Sequence, residues 1–136
     1  MAGATITVTV NSEFPAWLAS KVNYVMDASA DAYVIEVRRR MMAGPASGRI
    51  YISKGRVHRA SAPGQPPAPD THDLVGHIAT AGKGSGFQRT VDAGVSSATA
   101  AKYAIPLEVG TARVLPRPVW LPSLAAVQGR LGSFEY

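Results

Sequence analysis

Acid–base or metal chemistry, if the chain performs any, would be sought at Asp70-Thr71-His72-Asp73, with His58 before that cluster and His77 after it. Two histidines share a metal on one helix when they are four apart; His72 and His77 are five apart and point about 140° away from each other. No metal ion is expected here, and Asp70 and Asp73 are better explained as favourable negative charge at the start of a helix. None of the serines sits in a G-x-S-x-G elbow, so no strained nucleophile turn is signalled. Lys83-Gly84-Ser85-Gly86 is glycine-rich but lacks the longer interval with which a P-loop cradles phosphates, and it reads as a flexible turn. These patterns identify no catalytic residue, no cofactor and no metal.

Charge is the stronger signal. The 136 residues carry 14 Lys and Arg against 9 Asp and Glu, a formal +5. Between Arg38 and Pro69 lie Arg38, Arg39, Arg40, Arg49, Lys54, Arg56 and Arg59, and no acid. Such a run can contact phosphates, but only Tyr51 interleaves an aromatic with it, which favours a solvated or interface face. The absence of cysteine excludes a disulfide framework and a thiolate zinc site, and it suits a reducing cytoplasm. MAGATITVTV lacks the basic start and long apolar run of a secretory signal, and no stretch approaches the ~20 apolar residues of a membrane span. A soluble protein with no membrane partner is expected, of a size that buries one core.

The elements that would position these residues read as α+β. Thr5-Ile6-Thr7-Val8-Thr9-Val10 alternates strictly and predicts a strand. Ser12 is a candidate N-cap and Pro15 an early helical residue. Phe14, Leu18, Val22, Val25, Met26, Tyr33, Val37 and Met41 then follow in steps of three or four, with the small Ser29 filling one gap, up to Gly44-Pro45. They predict one buried stripe on a helix of roughly 40 Å. That length outruns the core of a 136-residue domain, so part of the helix should pack on something other than its own sheet. The triple Arg38-Arg39-Arg40 suits its C-terminal dipole.

Residues 49–53 and 57–60 flank Lys54-Gly55 as a short hairpin. Asp70 or Thr71 should cap a short helix through Leu74, Val75 and Ile78 that stops at Gly82. Phe87 to Asp92 alternates as a strand with a polar outer face. Ala104 to Val109 reads as an extended piece ending at Gly110, which Pro106 confines to an edge or bulge. Arg117-Pro118-Val119-Trp120-Leu121-Pro122 is rigid, and Pro122 can open a last helix through Leu124, Val127 and Leu131. The expected fold is one long N-terminal helix packed on a small, mostly antiparallel sheet, with a C-terminal helix, all in one domain spanning 1–136.

Between the hairpin and the short helix, HRASAPGQPPAPDT holds Pro63, Pro66, Pro67 and Pro69. Each ring fixes φ and removes a donor, so residues 61–70 should form an extended strap of about 3.1 Å per residue. Pro63 with Pro66, and Pro66 with Pro69, also satisfy P-x-x-P, a pattern read by aromatic grooves and frequent by chance in proline-rich segments.

Three blocks carry a resemblance. GRIYISKGRVHRASAPGQPPAPDTHDLVGHI, then Tyr103-Ala104 with Leu107-Glu108-Val109-Gly110-Thr111, then Arg117-Pro118 with Trp120-Leu121-Pro122-Ser123-Leu124, resemble a family of small neck and tail-completion proteins of long-tailed double-stranded DNA bacteriophages. Its members show S-A-P-G-E-P-P-A-x-D-T-G-x-L, then Y-A-x-x-L-E-x-G-T, then R-P-F-L-x-P-A-L. The blocks occur here in the same order over most of residues 15–131. Gln65 replaces Glu, Val119-Trp120 replaces Phe-Leu, and His72 stands where the family has Gly, which puts the local turn in question because only glycine reaches positive φ cheaply.

The resemblance implies a structural virion component without enzymatic activity, made in the host bacterial cytoplasm. It would form a homo-oligomeric ring, sixfold by the tail symmetry, needed for joining head to tail. Neighbouring rings (head-closure or adaptor, tail terminator, or tail tube protein) would be its partners, with genomic DNA passing through the lumen. On this reading the strap is a preorganised arm laid against a neighbouring subunit, its prolines lowering the entropy lost on association; the alternative is a brace within its own subunit. Pro63, Gly64, Pro66, Pro67, Pro69, Arg117, Pro118 and Trp120 are the candidate interface residues, and Arg49, Lys54, Arg56, Lys83 and Arg89 the candidates to face DNA. Two other readings stay open, a tail-terminator or head-closure ring and, from a different class, a basic nucleic-acid-binding domain.

Overall fold

Alternation at the N-terminus becomes β1 (Ala2–Thr9) in the computed structural model, which describes residues 2–70 and 72–131. It pairs antiparallel with β5 (Gln88–Val95), and β5 pairs antiparallel with β4 (Ile78–Ser85), giving the strand order β1-β5-β4. The register sets Thr5 opposite Asp92 and Thr7 opposite Thr90. Thr5 donates to the Asp92 carboxylate, and the Thr7 and Thr90 hydroxyls lie 2.8 Å apart, so this face of the sheet is knitted by polar side chains. Val91, Ala93 and Val95 alternate with them onto the other face and are buried. The expected strand with a polar outer side is therefore present.

On the inner face lies α1 (Ala16–Ala43), the expected long helix. Ser12 does not cap it. Asn11 instead closes an Asx turn, its side chain accepting from the Glu13 N–H at 3.0 Å, and Pro15 occupies the N-cap with no side-chain bond. The C-terminal half of α1 is buried through Tyr33, Val34, Val37 and Met41, packed with Ile78, Ala93 and the Val119 and Val127 side chains of the last segment. Val127 belongs to α4 (Trp120–Leu131), which Val119 immediately precedes and which holds Pro122 inside its first turn. The expected single buried stripe is only half realised. Leu18, Val22 and Met26 are half-buried, while Phe14 and Val25 are 51% and 56% exposed. Two causes act: 28 helical residues span about 42 Å and an 8-residue strand only about 27 Å, so the sheet cannot cover the whole helix, and Val25 lies about 120° round the helix from Val37, off the buried face.

Three polar residues on successive turns dock α1 onto β4 and β5. Asn23 donates to the Gly86 carbonyl at 2.9 Å, Asp27 pairs with Arg89 and Asp31 accepts from Thr80 at 3.1 Å. Further along, Glu36 is buried, 3% exposed, and receives Arg39, Arg40 and, from α4, Arg130. Hydrogen bonds from these guanidiniums hold the Glu36 carboxyl well below its ordinary range, Arg39 contributing most, against the opposing effect of burial. Arg38 donates to the Ile78 carbonyl. Arg38 thus ties α1 to β4, and Glu36 joins Arg39 and Arg40 of α1 to Arg130 of α4.

Three local expectations fail for identifiable reasons. The short helix α2 covers only Asp73–Gly76; Ile78 instead opens β4 and Gly82 lies within it. Ile78-Ala79-Thr80-Ala81-Gly82-Lys83-Gly84-Ser85 has one large apolar side chain, so its strand character comes from pairing with β5 rather than from propensity. Thr71, the alternative cap, lies outside the described residues; His72 holds the N-cap position. Ala104 to Val109 is the end of a helix, α3 (Ala98–Val109), which Ser97 caps by accepting from the Ala100 N–H. Alanines at 98, 100, 101 and 104 outweigh one proline, whose missing donor costs a single bond near the last turn. The Lys54-Gly55 hairpin forms as expected between β2 (Ile50–Ser53) and β3 (Arg56–Arg59), both turn residues having positive φ.

Burial makes a clear contrast testable. Val37→Ala should cost about 2–3 kcal/mol, whereas Val25→Ala should change stability by about 0.5 kcal/mol or less. Equal melting shifts for the two would show that α1 is rotated from this placement.

Candidate assembly surfaces

The strap and the two later blocks hold one another. Strap residue Gly64 donates its N–H to the Pro116 carbonyl at 2.9 Å, and the Arg117 Nε donates to the Ser61 carbonyl at 3.1 Å. At the end of α3 the Glu108 carboxylate accepts from the backbone N–H groups of Val119, Trp120 and Leu121 at 2.7, 3.1 and 3.0 Å. It thereby caps α4 from another helix, satisfying donors that every helix start leaves open. Gly110 ends α3 at φ 79°, and a Cβ there would press on Pro116 and the Val114 carbonyl. The Thr111 hydroxyl then accepts from the Arg113 and Val114 N–H groups, turning the chain back. Leu-Glu-x-Gly-Thr followed by Arg-Pro is therefore a corner in which each residue has a structural task.

Most strap residues face inward. Pro67 is buried, and Pro66 and Pro69 are half-buried, Pro66 lying against Gly44; Pro63 and Gly64 are exposed at its turn. The Gln65 side-chain oxygen accepts from the Ala62 N–H and the Ser47 hydroxyl, both at 2.9 Å. These contacts make residues 61–70 a brace within the subunit over most of their length. Pro118 and Trp120 are half-buried too, and Trp120 packs on Tyr33 with ring centroids 6.3 Å apart. Burial, and secondarily the Glu108 charge, push the Tyr33 hydroxyl up to about 12, so it stays protonated and donates to the Trp120 carbonyl at 3.3 Å. His72 adopts a left-handed turn, the conformation that glycine reaches cheaply, at φ 61°, at a cost of about 1–2 kcal/mol.

Beside the strap is a cleft of about 450 Å³ lined by Tyr51, His58, Asp70, Tyr103, Leu107 and Arg117 among others. Asp70 lies 3.7 Å from His58 and 3.6 Å from Arg56, which ties the hairpin to the strap. Among the described residues no group of three or more His, Asp or Glu side chains is placed to hold a metal.

The basic candidates divide. Arg89 is not a free cation: it forms a bidentate pair with Asp27, at 2.8 and 3.0 Å, and bonds the Gly84 carbonyl. Arg56 is about half exposed beside Asp70. Arg49, Lys54 and Lys83 are exposed.

Among the described residues, two of the uncovered apolar surfaces lie on α1 and on the β2–β3 hairpin, and the buried-stripe reading overlooked both; exposed Ile105, Val109 and Leu121 line a further one at α3 and α4. Trp17, Tyr24, Ile35 and Met42, exposed by 66, 71, 64 and 56%, form a seam on the outside of α1, flanked by Phe14 and Val25. Their spacings of 7, 11 and 7 place them about 150° round the helix from Val37; that spacing was the available signal. The second surface is the outer face of the β2–β3 hairpin, where Ile52 and Val57 are cross-strand partners exposed by 74 and 73%, beside the half-exposed Ile50.

No family model, curated protein or solved structure matches the chain.

Two outcomes test this arrangement. Because the strap is braced internally, replacing Pro66, Pro67 and Pro69 with alanine should destabilise the isolated subunit by about 1–3 kcal/mol; an unchanged melt would return the strap to a purely external role. Glu36, with its folded acidity raised, contributes stability that is present above the ordinary value of 4.5 and is lost as pH falls towards the depressed folded value. Glu36→Gln should melt lower than the parent at neutral pH and lose less on acidification from about pH 5 to about pH 3. Parallel pH profiles would assign the acid sensitivity elsewhere.

Proposed function

We propose that this chain is a structural subunit of the head–tail junction of a tailed double-stranded DNA phage, a ring protein of the neck or tail-completion type without enzymatic activity. The observation that carries this reading is the seam along α1. At ~150–250 Å² per large side chain, its six residues present on the order of 600–700 Å² of apolar surface, above the largest patch of an ordinary monomer and close to one side of a standard interface. An uncovered surface of that size belongs to a protein that works in an assembly. The three-block resemblance specifies the assembly, and those blocks meet in one hydrogen-bonded corner, which gives them a reason to occur together.

In this reading the virion holds a closed ring of six copies joined by heterologous contacts, stacked on neighbouring neck or tail rings, with genomic DNA passing through. The cations Arg49, Lys54 and Lys83 make the surface mildly positive, which such a passage tolerates. The exposed basic hairpin also favours a second reading, a nucleic-acid-binding domain, which predicts tight duplex binding that weakens steeply with salt.

Particles made without this chain should accumulate as filled heads and separate tails, and reconstruction of the intact neck should show the chain in a ring. Normal tailed particles in its absence, or a single copy in the neck, would refute the proposal. Salt-sensitive duplex binding by the purified protein together with normal particles would favour the second reading.

A further inference from the structure

We infer that the β2–β3 hairpin of one copy docks on the aromatic end of α1 of the next, so that the subunits join head to tail. The inference rests on the reading of the chain as a ring subunit and names the surfaces that meet.

Placement comes first. Only residues 44–49 separate the end of α1 from β2, and the contacts of Asp70 with Arg56 and His58 tie the hairpin to the strap. The hairpin therefore sits by the C-terminal end of α1. Trp17 and Tyr24 belong to the opposite end, and from Trp17 to Ala43 the helix rises about 39 Å. The hairpin and the aromatic end of α1 cannot cover each other within one copy. Contact between copies then joins two different surfaces, the heterologous type that closes into a ring or continues as a filament.

Chemistry matches the two ends. The hairpin presents Ile50, Ile52 and Val57 with Arg49, Lys54, Arg56 and Arg59 around them, and it contains no acid. Asp27, Asp31, Glu36, Asp92 and Glu108 hold partners within their own chain, and the exposed Glu13 carboxylate accepts only a long 3.4 Å bond from its near neighbour Asn11. A second copy offers a basic apolar hairpin the aromatic end of α1, where Phe14, Trp17 and Tyr24 stand exposed and the exposed Glu13 adjoins Phe14 in the chain. Guanidinium and ammonium groups stack on such rings, and β-branched side chains cover the rest of their area. Lys21, exposed between Trp17 and Tyr24, is the one like charge in the contact.

The chain has no cysteine, so Tyr24→Cys and Val57→Cys can be introduced at exposed positions without competing thiols. Concentrated purified protein is treated with a short bismaleimide. The double variant should give a ladder of multimers, the two single variants mixed should give dimers only, and neither single variant alone should react with itself. A Thr7→Cys/Val57→Cys pair, with one thiol on the polar sheet face, sets the level of random collision. Adding Lys21→Glu should raise the yield about two- to fivefold, the effect of one weak surface ion pair. Dimers from Tyr24→Cys alone would mean that seams pair with each other, and a double variant no better linked than the Thr7 control would mean that the two surfaces do not meet; either overturns the inference, as does a yield unchanged or lowered by Lys21→Glu. A ring in virus particles whose copies fail to link these positions would remove the contact and leave the neck reading standing. A clean ladder from a chain absent from particles would do the reverse.

Discussion

A 28-residue helix on 8-residue strands sets the terms for the rest of this molecule. The sheet can bury only part of such a helix, so α1 divides into an anchored half and an overhanging half. Where it is anchored, apolar contact alone does not hold it. Asn23, Asp27 and Asp31 bond β4 and β5, and Glu36 gathers Arg39, Arg40 and Arg130 at the junction with α4. Beyond the sheet Trp17 stays in solvent, and Tyr24 and Val25 do so on the outer side of the helix. A chain that keeps large aromatics there either tolerates an aggregation hazard or covers them in an assembly.

Opposite the helix, stiffness comes from the connectors. Prolines reduce the freedom lost by the strap, and Arg117 and Gly64 fasten it to the segment before α4. Glu108 then satisfies three open donors of α4 with one carboxylate. An extended segment that forms neither helix nor strand is thus held as firmly as a regular element, and the hairpin beside it inherits a fixed position through Asp70. Rigid presentation matters for association, because a surface that is already ordered loses less entropy when it binds.

Basic residues illustrate how little a charge count says about roles. Arg38, Arg39, Arg40, Arg89 and Arg117 all bond carbonyls or carboxylates of their own chain. Of the hairpin cations, Arg49, Lys54 and Arg59 are exposed, and they flank an apolar face rather than a polar groove. That combination fits a protein surface carrying aromatic rings better than it fits a phosphate backbone alone, to which the β-branched residues would add little.

From the sequence alone came the features that local physics decides: the alternation of β1, the period of α1, the Lys54-Gly55 turn, the extended strap and the proline-opened α4. Each is written in neighbouring residues, because side-chain period and proline geometry act over a few positions. The candidate surfaces were less legible. Val25 and Val37 belong to the same run of three- and four-residue steps, yet that run drifts until they lie about 120° apart round the helix, which leaves Val25 off the face that the sheet and α4 cover. Tertiary pairing made a strand of the glycine- and alanine-rich residues 78–85, and a distant partner turned Arg89 from a surface cation into a bridge to Asp27. Glu108 shows the same limit: nothing within ten residues of it signals that its carboxylate caps another helix, since the donors it satisfies are brought to it only when the chain turns back at Gly110 and Thr111.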